Sequence, residues 1–225
     1  VLLVFLSTTF FALSSYYGKV ATNITEMSGI INSFSRFLVG TIGMLIYIIY
    51  SKKSFKAMDM KPILYRAFYN SMAIVIFSAS IKFTTITNAN MLNMIYPVFV
   101  ILLSPLLLKE EIKKSTYIYL VIIMTGSYIV ANPSFGEVNL GDILAFVSAI
   151  FAAFSILYLR KAREENEGYI IVFYVMFIGL MVNIPFGYKD VVNFEMNGFF
   201  PVFMAGFLGF LGQIFITWGY KYVDS

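Results

Sequence analysis

The stretch ANMLNMIYPVFVILLSPLLL, Ala89 to Leu108, contains no charged side chain and ends against Lys109, Glu110 and Glu111. A helix of about 20 such residues rises about 30 Å, the thickness of a bilayer's hydrocarbon core. Working outward, runs of similar length recur on both sides, separated by short polar breaks. They give eight spans in all: roughly 1–17, 29–50, 63–82, 89–108, 115–131, 140–159, 169–186 and 199–220. A cleaved leader does not account for this, because the apolar segments repeat from end to end. Composition agrees. The 225 residues are 60% hydrophobic and 12% charged, where soluble domains hold about 25% charged residues.

Cysteine and histidine are both absent. That removes disulfides, thiolate chemistry, zinc ligation by Cys or His and the usual neutral-pH proton shuttle, so neither a cofactor nor a metal is expected. The net charge of +4 reads as loop charge on a membrane protein, not as a nucleic-acid surface. Lys52, Lys53, Lys56, Lys61 and Arg66 follow the second span, Lys109, Lys113 and Lys114 the fourth, and Arg160, Lys161 and Arg163 the sixth. The alternate connections hold only Lys19, Lys82 and Lys189, beside Glu26, Glu137 and Asp190. Under the positive-inside rule the chain is a multi-pass protein of the inner membrane with a cytoplasmic N-terminus.

An offset of 139 residues aligns Gly29 with Gly168, Ile31 with Ile170, Phe34 with Phe173, Gly40 with Gly179 and Lys82 with Lys221. FALSS (Phe11 to Ser15) meets FAAFS (Phe151 to Ser155) at nearly the same offset. The first, second and third spans thus pair with the sixth, seventh and eighth. An odd number of crossings separates each pair, so the repeats, 1–139 and 140–225, are inverted. The expected fold is all-α: a polytopic transmembrane bundle of two inverted repeats, eight spans visible of an expected ten. The fourth and fifth spans have no partner here, and two further helices are expected after Ser225.

The segment SIKFTTITNANMLNMIYPVFVILLSPLLLKEEI (Ser80 to Ile112), the fifth-span ending GSYIVANP (Gly126 to Pro133) and the repeat opening GDILAFVSAIFAAFSILYLRK (Gly141 to Lys161) resemble the EamA-type branch of the drug/metabolite transporter superfamily. The resemblance implies a ten-helix carrier of two five-helix inverted repeats. It matches the family's central Pro of the fourth helix to Pro97, the Glu at that helix's cytoplasmic end to Glu110, and the Arg of the second helix to Arg36 within SRFLVG. Export is what it most often implies.

Candidate site residues are weighed against plainer roles. Pro97 removes a backbone hydrogen bond and frees carbonyls near Asn93, and with Asn90, Asn93 and Tyr96 it marks a stretch suited to line a cavity. The plainer role is interhelical hydrogen bonding. Arg36 lies deep enough in its span to need a partner, and its guanidinium suits a substrate carboxylate or phosphate; the alternative is snorkelling or a carbonyl contact. Gln213 and Thr217 share a face of the eighth span, with Trp218 beside them as a stacking surface or an interfacial belt residue. Ser14 and Tyr17 in the first span, like Ser148 and Ser155 in the sixth, offer hydroxyls; the serines can also satisfy themselves on a preceding carbonyl. GFLGFLG (Gly206 to Gly212) lacks the strand and the Lys-Ser/Thr of a phosphate loop and reads as a helix-packing face. Glu110 and Glu111 among their lysines read as a salt-bridged interface cluster.

The expected function is alternating access about a cavity between the first, third, fourth, sixth and eighth spans. The solute is small and polar or amphipathic, such as an amino acid. Expected partners are that solute and the lipid bilayer, with a second copy of the chain as an allowed partner and no nucleic acid. The competing classes are a receptor or scaffold, an intramembrane enzyme and a channel. The short loops, the missing mid-span carboxylate pair and the missing charged ring weigh against each in turn.

Overall fold

The computed structural model describes residues 2–25, 27–81, 83–109, 112–131 and 138–220. Glu26, Lys82, Glu110, Glu111, Pro133, Glu137 and Lys221 lie outside them. Among the described residues there are helices and no strands: α1 (Leu2–Ile24), α2 (Ile30–Tyr50), α3 (Met60–Ser80), α4 (Ile86–Asn93), α5 (Tyr96–Leu108), α6 (Lys114–Ala131), α7 (Leu140–Glu165), α8 (Gly168–Val192), a 3-10 turn (Met196–Gly198) and α9 (Phe199–Gly219). The fourth span is therefore two helices, α4 and α5, and the other spans are one helix each.

Five spans are long and apolar enough to cross a bilayer by composition alone: α2, α4 with α5, α7, α8, and the 3-10 turn with α9. In α1 and α3 the length suffices, but Lys19 in one and Lys61 with Arg66 in the other dilute the apolar run. Arg66 corrects the reading of the loops. Expected among the loop charges, it sits instead in the second turn of α3 with 3% exposure. The helix starts at Met60 because Pro62 falls in the first turn, where its missing N–H costs nothing.

The chain divides by contacts into two units. Unit 1 is Val1–Ser71 with Leu159–Ser225, and unit 2 is Met72–Tyr158. This division does not follow the expected repeat boundary at 139/140.

Unit 1 is built on pairs of closely packed helices. Lipid supplies no hydrophobic force between helices, so small residues that let backbones approach do the holding. In the α2–α8 pair, a Cβ on Gly40 would stand 2.7 Å from Cγ of Met176, and a Cβ on Gly179 would run into the ring of Phe37. Gly40 and Gly179 lie 139 residues apart, as do Phe37 and Met176. Each helix thus offers a glycine to the large side chain of the other. Phe55 packs edge-on against Phe173 at 5.4 Å, while Phe194 and Phe34 pack on the cluster of Ala21, Met27, Ile31 and Val202.

Helix α9 lies against α1 and α2. Gly206, Gly209 and Gly212 have no room for a Cβ beside Ser35, Arg36 with Ser14, and Phe11 respectively. Three serines bridge the same seams: Ser7 Oγ donates to Gly212 O (2.9 Å), Ser14 Oγ to Ala205 O (2.7 Å) and Ser35 Oγ to Val202 O (2.9 Å). GFLGFLG is a packing face.

These contacts also fix helix directions. Along α1 and α9 the paired numbers run in opposite senses (Ser7 with Gly212, Ser14 with Ala205), as they do along α2 and α8. Along α2 and α9 they rise together, from Ser35 with Val202 to Gly40 with Phe210. Antiparallel, antiparallel and parallel are the directions expected of the first, second, seventh and eighth of a series of alternating spans.

In unit 2, α7 opens with a capping box. The Asn139 side chain accepts from the Asp142 N–H (3.0 Å), and the Asp142 carboxylate accepts from the Asn139 N–H (3.2 Å) and from Thr84 Oγ1 (2.7 Å). Gly141 lets this corner close, since a Cβ there would stand 2.6 Å from Ser80 O and from Thr84 N.

Candidate functional site

The candidate residues fall into two groups, one in each unit. In unit 2 the chain breaks between α4 and α5. Pro97 has no N–H to give to Asn93 O, and the backbone turns through Met94 and Ile95 with Ile95 N bonding Leu92 O (3.2 Å) and Val98 N bonding Ile95 O (2.9 Å). The proline opens the span one turn ahead of itself, as expected from its chemistry. Asn93 is the last residue of α4, and its Nδ2 donates to Ser148 Oγ on α7 (2.7 Å), which in turn donates to Ala145 O (2.6 Å). Asn93 therefore makes the interhelical bond that was its plainer role. Tyr96 and Pro97, on the far side of the break, are half-buried, whereas Asn90 is exposed. Asn88, two residues earlier, was not singled out and is the buried amide of α4, at 5% exposure.

In unit 1 the polar group gathers along α9. The stem of Arg36 crosses from α2 over Gly209, where a Cβ would meet Arg36 Cδ at 2.6 Å and Ser14 Oγ at 2.9 Å. The guanidinium carbon lies 5.1 Å from the centroid of the Phe37 ring, and Nε is buried with no hydrogen-bond partner. One helical turn along α9, Gln213 and Thr217 are buried, at 5% and 0% exposure. Gln213 Nε2 donates to Thr217 Oγ1 (3.3 Å), and Thr217 Oγ1 donates to Gln213 O (2.8 Å). Ser14 and Arg36 thus meet over Gly209, and Gln213 and Thr217 continue the same face of α9 at four-residue spacing.

Tyr17 and Trp218 stand apart from these residues, toward opposite ends of α9. Tyr17 packs edge-on against Phe200 (6.2 Å), near the start of the helix. Trp218, 42% exposed, leaves no space for a Cβ on Gly168, which would stand 2.5 Å from its Cδ1. Its position at a helix end suits an interfacial belt residue.

Several consequential polar residues were not singled out. Asn183, with no exposed surface, bonds Gly179 O through Nδ2 (2.8 Å), and its Oδ1 is buried without a partner. Asn166 Oδ1 accepts from the N–H groups of Met58 (2.9 Å) and Asp59 (3.2 Å), and its Nδ2 donates to Asp59 O, tying the α2–α3 loop to the start of α8. Asp190 accepts from the N–H and hydroxyl of Ser28, just ahead of α2. An amide inside an apolar run, as Asn183 is in IGLMVNIPFG, was the available signal for the first. For the other two the partner lies far along the chain, and no local pattern marks them.

Among the described residues no group of three or more His, Cys, Asp or Glu side chains is placed to hold a metal. What the seam offers is a cation with hydroxyl and amide neighbours, suited to a carboxylate or a phosphate.

The EamA-like transporter family model matches residues 1–132 and 139–225. An uncharacterized transporter of Helicobacter pylori is 26% identical across 97% of this chain and 76% of its own length. The pseudopaline exporter CntI of Pseudomonas aeruginosa is 26% identical across 85% of this chain and 68% of its own length. An uncharacterized transporter of Archaeoglobus fulgidus is 28% identical across 53% of this chain and 44% of its own length. The match of the family model along both stretches, with these relatives and the apolar helices, establishes that the chain belongs to the EamA-like transporter family and is a multi-pass membrane transporter.

Proposed function

We propose that this chain exports a small solute bearing a carboxylate or phosphate, of amino-acid-like character, across the inner membrane by alternating access. The observation that carries the substrate class is Arg36. A guanidinium within a membrane span is costly unless matched by an anion, and its buried Nε has no protein acceptor. A solute anion arriving from the aqueous side satisfies it, with Ser14 and Gln213 as neighbouring polar groups. Asn93, Tyr96 and Pro97 act at the α4–α5 break, where a helix already interrupted bends at little further cost. The exporter among the relatives and the Lys- and Arg-rich alternate loops support outward transport with a cytoplasmic N-terminus.

Rocking of the repeats needs a pair of helices that stays together while others separate. The reciprocal glycine contacts of α2 and α8 suit them to that role, while Arg36 of α2 lies over Gly209 of α9, away from that contact.

Solute counterflow into proteoliposomes tests the reading, with labelled carboxylates, phosphates and neutral or cationic solutes compared. An anionic class accumulates saturably, and Arg36→Gln raises its half-saturation concentration about tenfold or more, the effect of removing one charge-assisted contact. Equal handling of anionic solutes by Arg36→Gln and the parent protein sinks the assignment of Arg36. Accumulation of neutral or cationic solutes alone sinks the substrate class.

A further inference from the structure

At the Lys- and Arg-rich end of unit 1, the ends of α1, α2, α7, α8 and α9 surround an open cavity of about 320 Å³. Its chemistry comes from Lys53, Arg163 and Glu167, set among the rings of Tyr47, Tyr169 and Trp218. The volume is at the lower end of small-ligand sites, which start near ~300 Å³. The cavity is separate from the polar group around Arg36.

Lys53 is held between two aromatic rings. Its Nζ lies 5.2 Å from the centroid of the Tyr47 ring and 4.6 Å from that of Tyr169. The Tyr169 hydroxyl donates to Ser54 O (3.0 Å), fixing the ring that carries the ammonium. A hydrogen bond with Tyr47 raises the Lys53 pKa above the ordinary lysine value. Arg163 is anchored by Nη1 on Asn166 O (3.0 Å). Gly168 supplies clearance: its Cβ would meet Trp218 and, at 3.1 Å, Arg163 Nη1. The cavity is thus walled by flat aromatic faces and carries two cations and one carboxylate.

Position narrows the occupant. The apolar runs of α2 and α9 end here, at Tyr50 and Gly219, and that of α8 begins here, at Gly168. In a bilayer this is the level of the lipid headgroups, where Tyr and Trp also concentrate. Basic pockets between helix ends on this side of a membrane are suited to headgroup phosphates. Glu167 refines the match, because a headgroup that carries an ammonium beside its phosphate complements two cations and a carboxylate better than one bearing hydroxyls alone.

We propose that this cavity binds the headgroup of a zwitterionic phospholipid of the phosphoethanolamine type, its phosphate held by Lys53 and Arg163 and its ammonium by Glu167. The site binds lipid whether or not solute is being carried.

Trp218 is the sole tryptophan of these 225 residues and lines the cavity, so its emission reads occupancy. The purified protein in detergent is titrated with short-chain phosphatidylethanolamine, short-chain phosphatidylglycerol and inorganic phosphate. Phosphatidylethanolamine changes the emission saturably, phosphatidylglycerol requires about tenfold more, and inorganic phosphate produces no saturable change over that range. Lys53→Gln raises the phosphatidylethanolamine midpoint about tenfold, Lys53→Arg restores it, and Glu167→Gln erases the preference over phosphatidylglycerol. Lys53 and Glu167 are both exposed, so these changes leave the helix packing alone. No saturable response to lipid, or a midpoint unmoved by Lys53→Gln, overturns the site. Inorganic phosphate saturating as tightly as lipid overturns the headgroup as its occupant and leaves a free-anion site instead.

Discussion

Units 1 and 2 use their small and polar residues in different ways. Unit 1 places glycines along helix faces, at Gly40, Gly179, Gly206, Gly209 and Gly212, so that α2 meets α8 and α9 meets α1 and α2 at close range over several turns. Its serines add hydrogen bonds to carbonyls across the same seams. Unit 2 spends its glycine at a corner, Gly141, and its polar bonds at the α7 start and the α4–α5 break. Gly126, in α6, has nothing within 4 Å of where a Cβ would be. Continuous close contact resists separation, whereas a broken helix pinned by one or two side chains yields. A carrier needs both properties, and the chain keeps them in different places.

The largest expected effect comes from breaking the firm region. Gly179→Leu forces a branched side chain into the Phe37 ring and costs about 3 kcal/mol, while Gly126→Leu costs nothing measurable. Thermal survival of the detergent-solubilised fold, read by size-exclusion chromatography, separates the two; equal survival would remove the contrast. Next, Asp142→Ala takes away the acceptor for Thr84 and the Asn139 N–H, lowering stability by about 2 kcal/mol in the same assay. The milder Asp142→Asn keeps one acceptor and recovers part of the loss. Asn93→Ala removes the bond to Ser148 for about 1 kcal/mol, yet reduces solute counterflow far more than that destabilisation explains. A transport loss no larger than that of Asp142→Ala would make Asn93 structural only. Ser14→Ala is the smallest, about 0.6 kcal/mol, because interhelical hydrogen bonds in membranes average that value.

Much of the architecture was legible because its causes are local or periodic. Span lengths follow from bilayer thickness, whereas the large side chains that meet Gly40 and Gly179 across α2 and α8 needed the packing of the two helices. The role of GFLGFLG followed from what it lacked. The α4–α5 break was legible from Pro97, although its location at Met94 and Ile95 depends on how the neighbouring backbone closes its hydrogen bonds. The roles of Asn166 and Asp190 were not legible, since each answers N–H groups more than 100 residues away in sequence. Arg66 was counted with the loop charges although it falls within the 63–82 span, and α3 begins even earlier, at Met60. Of the candidate site, the sequence marked Ser14, Arg36, Gln213 and Thr217 individually; the meeting of Ser14 and Arg36 over Gly209 needed the packing of α9.

The central claim is a carrier that moves about an α2–α8 pair that stays closed. The chain has no cysteine, so Gly40→Cys with Met176→Cys introduces one pair at a point where Met176 Cγ already lies 2.7 Å from the position of a Gly40 Cβ. Counterflow of an anionic solute is measured in proteoliposomes with this pair oxidised and then reduced. Saturable accumulation at the same rate in both states is expected. Transport that stops on oxidation and returns on reduction would contradict the closed pair, and absence of accumulation in the reduced variant and the parent protein alike would contradict the proposed anionic substrate.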